Sequence, residues 1–286
     1  MELKELQEKL FEMLCFFDKI CTKLNLKYYL AYGTLLGAVR HKGFIPWDDD
    51  VDVWMPRNDF DKLLNYLTEE HPSDRYFLNT GKYKAQCDRP NKFQMRIVDS
   101  KTPVYKPISN FKMEFFLWMD IFALDSYPEN KEKKYIKKFK KHLFRYKMAR
   151  CKNFVLKDGF IKTTINKTIY FLHNKLGLLK KCLIEEKEIE KTYLTLTKYK
   201  DDASCNKYFS YAAVYLNDIK KCTFDKSLFD ESIRVDFLSE KLCSSSKFDE
   251  ILTQLYGDYM QLPKEEERIT HSIEFIETDW NKYPPA

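Results

Sequence analysis

Four aspartates crowd into "PWDDDVDVWM": Asp48, Asp49, Asp50 and Asp52, the last on an apolar run. Side chains alternate along a strand, so Asp50 and Asp52 share one face while Val51 and Val53 share the other. Neighbouring carboxylates repel unless something positive lies between them. A hard divalent cation, Mg2+ or Mn2+, answers that need, because it takes oxygen ligands and keeps positions open for phosphate. The upstream run "AYGTLLGAVRHKGFI" supplies a glycine turn and a helix start, whose backbone N–H groups suit a phosphate. Gly33 makes that turn and Thr34 is read as the cap of the helix "LLGAVRHK". Arg40, His41 and Lys42 add positive charge, and Arg40 is the preferred phosphate grip because its fork can hold two oxygens. His41 is as well explained by simple solvation. Asp48 and Asp49 are assigned to shaping the loop. The third acid expected of such a site is Asp120, alone inside "FLWMDIFAL", with Asp125 as the second choice.

An aspartate run is more commonly a solvated loop or a weak calcium site. Three features argue otherwise here. The acids continue into an apolar strand, a glycine–helix unit precedes them, and a lone acid recurs in a second apolar strand.

The elements that must position these residues are a mixture. Leu3, Leu6, Leu10, Leu14, Phe17, Cys21 and Leu24 fall at helical spacing. "KYYLAYG" reads as a strand ending at Gly33, and "VDVWM", "RYFLN", "KFQMRIVD" and "EFFLWMDIFALD" as further strands. Phe60, Leu63, Leu64 and Leu67 mark a helix between them. After Pro128 the chain turns basic and helical, and strand signals return at "YFSYAAVY". The fold class is α/β (α+β), a mixed sheet flanked by helices. We divide the chain into a core over 1–128, a basic helical insertion over 129–200 and a C-terminal part over 201–286 that completes the substrate pocket.

Composition sets the outer limits. The 286 residues carry net charge +6, with 44% hydrophobic and 16% aromatic residues, as expected of a folded chain with a real core. The opening "MELKELQEKLFEMLCFF" is charged and helical in period, so it does not read as a signal peptide. No apolar run approaches the roughly 18 residues of a membrane span. The 8 cysteines are scattered without a C-x-x-C pair, which argues against zinc and a disulfide framework and points to reduced thiols in a cytoplasmic protein. The basic helix 131–152 is read as packing one face on the core. Its other face suits an anionic membrane surface or an anionic, lipid-linked glycan. No nucleic-acid recognition motif accompanies it.

The stretch "YGTLLGAVRHKGFIPWDDDVDVWM" resembles the signature of the LicD family, the phosphocholine transferases that include fukutin and fukutin-related protein. "MDIFALD" is similar to the family's later aspartate motif, and "LYGDYMQLPKEEERITH" to its C-terminal motif. The resemblance covers both ends of the chain and leaves the helical middle poorly matched. It implies a nucleotidyltransferase-like fold with Gly33 and Thr34 after the first strand, Asp50 and Asp52 as paired acids and Asp120 as the third. It makes Asp258, Arg268 and His271 pocket candidates. Among the aromatics, Trp47, Trp54, Trp118, Tyr256 and Tyr259 are better read as packing than as a choline cage.

The resemblance further implies transfer of phosphocholine from CDP-choline to a hydroxyl of a cell-surface glycan, teichoic acid or lipopolysaccharide, with release of CMP. Ribitol, glycerol or ethanolamine phosphate from a CDP carrier are the alternatives. The site would lie at the inner face of the membrane if the acceptor is lipid-linked. Two rivals remain open: a nucleotidyltransferase that releases pyrophosphate, and a non-catalytic nucleotide- or glycan-binding protein.

Overall fold

The structure is a computed structural model that describes residues 2–78, 94–108, 111–150, 190–191, 193–195, 197–200, 202–210, 212, 220–268, 270 and 274–275. The chain begins with helix α1 (Leu3–Lys23), whose Leu6, Leu10, Met13, Leu14, Phe17, Ile20 and Cys21 form a buried stripe at three-to-four spacing. A short strand β1 (Tyr29–Leu30) leads into α2 (Tyr32–His41), and β2 (Asp52–Pro56) runs straight into α3 (Arg57–Glu69). Strands β3 (Tyr76–Leu78), β4 (Gln94–Ile108) and β5 (Phe111–Tyr127) precede the basic helix α4 (Glu132–Arg150). Then come β6 (Lys207–Ser210), β7 (Thr223–Asp225), a hairpin of β8 (Ser232–Phe237) and β9 (Glu240–Ser245), helix α5 (Phe248–Tyr256) and β10 (Glu274–Phe275).

Eight of these strands form one mixed sheet, ordered β1-β2-β5-β4-β10, with β3 on β4 and β6 bridging β5 to β7. Only β2 and β5 pair in parallel among the described strands. The result is the mixed α+β class expected from the sequence, a sheet flanked by helices. It draws strands from both ends of the chain, so residues before 128 and after 201 share it.

β5 is the spine. On one edge β2 places Asp52 opposite Asp120, and on the other β4 places Arg96 opposite the same Asp120. Its Leu117, Met119, Ile121 and Ala123 are wholly buried. A buried ion pair fixes the start of α3: Arg57 donates through Nε and Nη2 to the two oxygens of Asp125, both at 2.7 Å, with side chains 2% and 1% exposed. The fork-to-carboxylate geometry also draws Asp61, at 3.2 Å. Asp125 is therefore committed to Arg57.

Two local expectations are corrected. The strand expected through "KYYLAYG" stops at Leu30, because the chain turns into α2 at Tyr32. Thr34 does not cap that helix. Ala31 holds the cap position without a side-chain bond, and Thr34 lies inside the helix. The described cysteines are free thiols, and no described helix is long and apolar enough to cross a membrane.

Candidate active site

The first building block is the joint between α2 and β2. The Ala31 N–H donates to the Asp52 carbonyl at 3.0 Å, and the Asp52 N–H donates to the Thr34 hydroxyl at 2.9 Å. These bonds stitch the start of the helix to the start of the acid strand. Thr34 is 2% exposed, so its hydroxyl serves the protein backbone here. The turn between them is forced: Tyr32 has φ of 45°, a left-handed value that a bulky residue reaches only under constraint. The constraint is visible. The Tyr32 ring stands edge-on to Trp54 at 4.7 Å and to Phe122 at 5.9 Å, and its hydroxyl donates to Ser210 at 3.1 Å.

Gly33 comes next, facing the Asp48 carboxylate. A Cβ there would stand 2.8 Å from Asp48 Oδ2. A side chain at this position would displace the Asp48 carboxylate from the helix start. From the other side, Gln7 of α1 donates to the carbonyls of Asp48 at 2.8 Å and Ile45 at 3.2 Å, which fixes the loop's backbone. Asp49 is buried, in keeping with a loop-shaping role.

The second block is a row across three strands: Asp52 on β2, Asp120 on β5 and Arg96 on β4. Register partners project to the same face, so the side chains stand side by side. Asp120 accepts from Arg96 Nε at 2.6 Å and from Trp118 Nε1 at 3.1 Å, and Gln94 Nε2 donates to the same oxygen as Arg96. The Arg96 guanidinium also lies 5.0 Å above the Trp118 ring. Burial pushes the Asp52 carboxyl well above the usual carboxylate range. Asp50, Asp120 and Asp48 push it further, and Arg96 opposes them. Asp50, Asp52 and Asp120 are thus one electrostatic group, and Asp48 belongs to it. The loop-shaping role assigned to Asp48 understates it.

Sequence reasoning passed over Arg96 and Gln94, and read Trp118 as packing. A signal existed: Gln94 and Arg96 alternate as polar residues within an apolar strand. It did not identify which acid they would meet.

The third block closes the site from the C-terminal end. Tyr256, the last residue of α5, has its hydroxyl pushed up by burial and then by Asp52, Asp48 and Asp50, with Arg40 opposing. The residue is nonetheless 44% exposed, so it feels the acids from the surface. Arg40 is placed differently from a phosphate grip. Its Nη1 donates to the Tyr259 carbonyl at 2.7 Å and the Gln261 carbonyl at 3.4 Å, and its Nε donates to His41 Nε2 at 3.0 Å. Arg40 fastens the C-terminal motif to α2. His41 is held below its usual range by burial and by Arg40, so it sits as a neutral acceptor, edge-on to Trp47 at 6.4 Å. Arg268 packs over the other part of that indole at 5.1 Å and donates to the Pro263 carbonyl at 3.1 Å. Lys42 is an exposed, left-handed C-cap whose carbonyl accepts from Leu238 N–H at 2.7 Å. Asp258 is exposed in the turn after Gly257. His271 lies outside the described residues. The first motif and the C-terminal motif are thus brought together around α2, while Lys42 and Asp258 remain on the surface.

Could these residues hold a cation? The donors are all carboxylate oxygens in a site with excess negative charge, which is the chemistry Mg2+ or Mn2+ prefers. Among the described residues, no three acid, histidine or cysteine groups converge closely enough to ligate one ion. The donor chemistry fits, and the gathered ligand shell is not present.

Comparison with known proteins agrees with this layout. A family described as "LicD/FKTN/FKRP, nucleotidyltransferase domain" matches residues 25–154, the span from β1 to α4. The chain is 30% identical over 285 residues to the lipopolysaccharide cholinephosphotransferase LicD of Haemophilus influenzae, covering 95% of this chain and 96% of that protein. An uncharacterized protein of Rickettsia prowazekii is 33% identical over 112 residues, 39% of this chain and 37% of its own length. One from Rickettsia typhi is 54% identical over 41 residues, 14% of this chain and 13% of its own. With the acid row, the glycine–helix joint and a relative matched end to end, the chain belongs to the LicD family.

Proposed function

We propose that this protein transfers phosphocholine from CDP-choline to a hydroxyl of a cell-surface glycan and releases CMP. The observation that carries the reading is the Asp52–Asp120 register pair, set in a chain aligned over nearly its whole length with a lipopolysaccharide cholinephosphotransferase. Asp50, Asp52 and Asp120 would have to close up from their positions here to hold a divalent cation, Mg2+ or Mn2+. Such a cation would neutralise the diphosphate and the charge that builds on the leaving phosphate.

The protein's own groups do the rest. Arg96 and Gln94 hold Asp120 in place. Asp120, or Asp52 across the cation, would accept the proton of the attacking hydroxyl. The hydroxyl oxygen then bonds to the phosphorus that carries choline, and the bond to the CMP oxygen breaks. The buried joint of Tyr32, Thr34 and Gly33 keeps the acid loop from moving away.

The test is a screen of CDP-choline, CDP-ethanolamine, CDP-ribitol and CDP-glycerol with Mg2+ and a glycan acceptor, reading CMP release. CDP-choline should give the fastest release. Pyrophosphate release from a nucleoside triphosphate instead would overturn the reading, and CMP release from another carrier would replace choline while keeping the reaction class.

A further inference from the structure

Away from the acid row, a cavity of about 160 Å³ opens between α4 and residues 195–199. Lys131, Lys134 and Lys138 line it from one side and Lys198 from the other, with Tyr135, Tyr199 and Thr195 forming its walls. Four exposed lysine side chains thus line one concavity, and none of its described lining residues is a carboxylate. The described acids nearby carry partners of their own, and Asp202 also feels the charge of Lys131. Asp202 accepts from the Ser204 N–H at 2.9 Å and the Ser204 hydroxyl at 2.6 Å. Glu129 holds Asn206 at 3.0 Å and Lys207 at 3.8 Å. Asp125 belongs to Arg57.

Lysines at three- and four-residue spacing on one helix side repel each other. Tyr199 relieves part of this, with Lys198 at 5.1 Å and Lys131 at 5.7 Å from its ring centroid. A ring face answers charge but leaves an ammonium's N–H donors to be met by an acceptor. The walls are firm: Tyr135 is buried, stacked on Tyr127 at 5.2 Å and set edge-on to Phe209 at 6.1 Å. A rigid, recessed site lined by four lysines fits a compact anion with several oxygens. The volume equals about five waters, room for a phosphate and part of a ring. The partly exposed Tyr199 offers the apolar face on which a sugar packs. A bilayer presents a plane and has no way into such a recess except through single headgroups.

The site is remote from the reaction. Tyr127, which backs Tyr135, lies seven residues beyond Asp120 on β5, roughly 23 Å at about 3.3 Å per residue.

We propose that this cavity binds a phosphorylated saccharide, a phosphate-bearing unit of the acceptor glycan distant from the hydroxyl being modified. The acceptor assignment rests on the proposed transferase activity, whereas the phosphosaccharide site rests on the cavity alone. The full chain is titrated calorimetrically with glucose 6-phosphate, glucose and inorganic phosphate, beside the double variant Lys134→Gln/Lys138→Gln and beside phosphatidylglycerol vesicles. Both lysines are exposed, so the variant should keep its thermal midpoint. Glucose 6-phosphate should bind, more tightly than inorganic phosphate, and the variant should weaken it at least tenfold. Glucose should not bind. CMP release from CDP-choline with a glycan acceptor that carries no phosphate should be unchanged. Equal binding by wild type and variant, no binding of glucose 6-phosphate, or loss of vesicle binding alone would each overturn the proposal. If glucose 6-phosphate binds as expected but no CDP-alcohol is turned over, the transferase reading fails and the phosphosaccharide site stands.

Discussion

Asp120 and Asp125 lie five residues apart on β5, and an odd separation turns them to opposite faces of the sheet. On one face Asp125 meets a fully matched arginine fork and is sealed from water. On the other Asp120 joins Asp52, Asp50 and Asp48, and Arg96 is the cation that opposes their combined push on Asp52. One face pairs a single acid with a single fork, and the other gathers several acids into one group. A matched pair serves the fold. Acids brought this close together push up one another's proton affinity and suit a place where something positive or proton-bearing arrives.

Several experiments would break or sharpen that contrast. The largest effect is expected from Asp52→Asn or Asp120→Asn, which should lower CMP release about 10³-fold or more while the circular dichroism spectrum stays native. Full activity in either would remove the acid row from the mechanism. Asp125→Ala should do the reverse. It strands Arg57 in the core and should cost about 3–5 kcal/mol in urea unfolding, with residual activity scaling with the folded fraction.

Gly33→Ala tests the joint between helix and loop. Its new methyl meets the tip of the Asp48 carboxylate, which can swing aside cheaply. The expected outcome is a loss of roughly tenfold in turnover, about 1.4 kcal/mol, with little change in thermal midpoint. A lower midpoint with normal turnover would make the contact purely structural.

The smallest effect concerns pH. Asp52 binds its proton more tightly folded than unfolded, so folding stability falls as pH rises above the ordinary carboxylate value of 3.8. In EDTA, Asp52→Asn and wild type should melt alike near pH 4. By pH 8 the variant should melt roughly 2–4 °C higher, the shift that about 1 kcal/mol produces in a large domain. A gap that shrinks toward pH 8 would show that Asp52 is stabilised as the anion.

The contrast between the two faces also explains what was legible in the sequence. Alternation put Asp50 and Asp52 together, and the lone acid in an apolar run singled out Asp120, because both signals are local. The long amphipathic α1 and the stop of α5 at Gly257 were legible for the same reason. Which of Asp120 and Asp125 faces the open site depended on Arg57 and Arg96 arriving from other strands and helices, which spacing does not reveal. Thr34 looked like a cap because hydroxyls commonly cap helices. The bond it makes instead is to a residue 18 positions away. The strand expected through Gly33 failed because β propensity at Tyr28, Tyr29 and Tyr32 was overridden by the packing of the Tyr32 ring.

The Arg40 clasp has a consequence in time. It joins positions 219 residues apart, whereas Gln7 reaches the acid loop across only 41. A chain emerging from the ribosome can order α1, α2 and the acid loop early, but the carbonyls that Arg40 grips follow it by 219 residues or more. During that interval the acid loop stands without the C-terminal motif. Competence for turnover should appear abruptly, once residues 256–261 have been translated and can dock on α2.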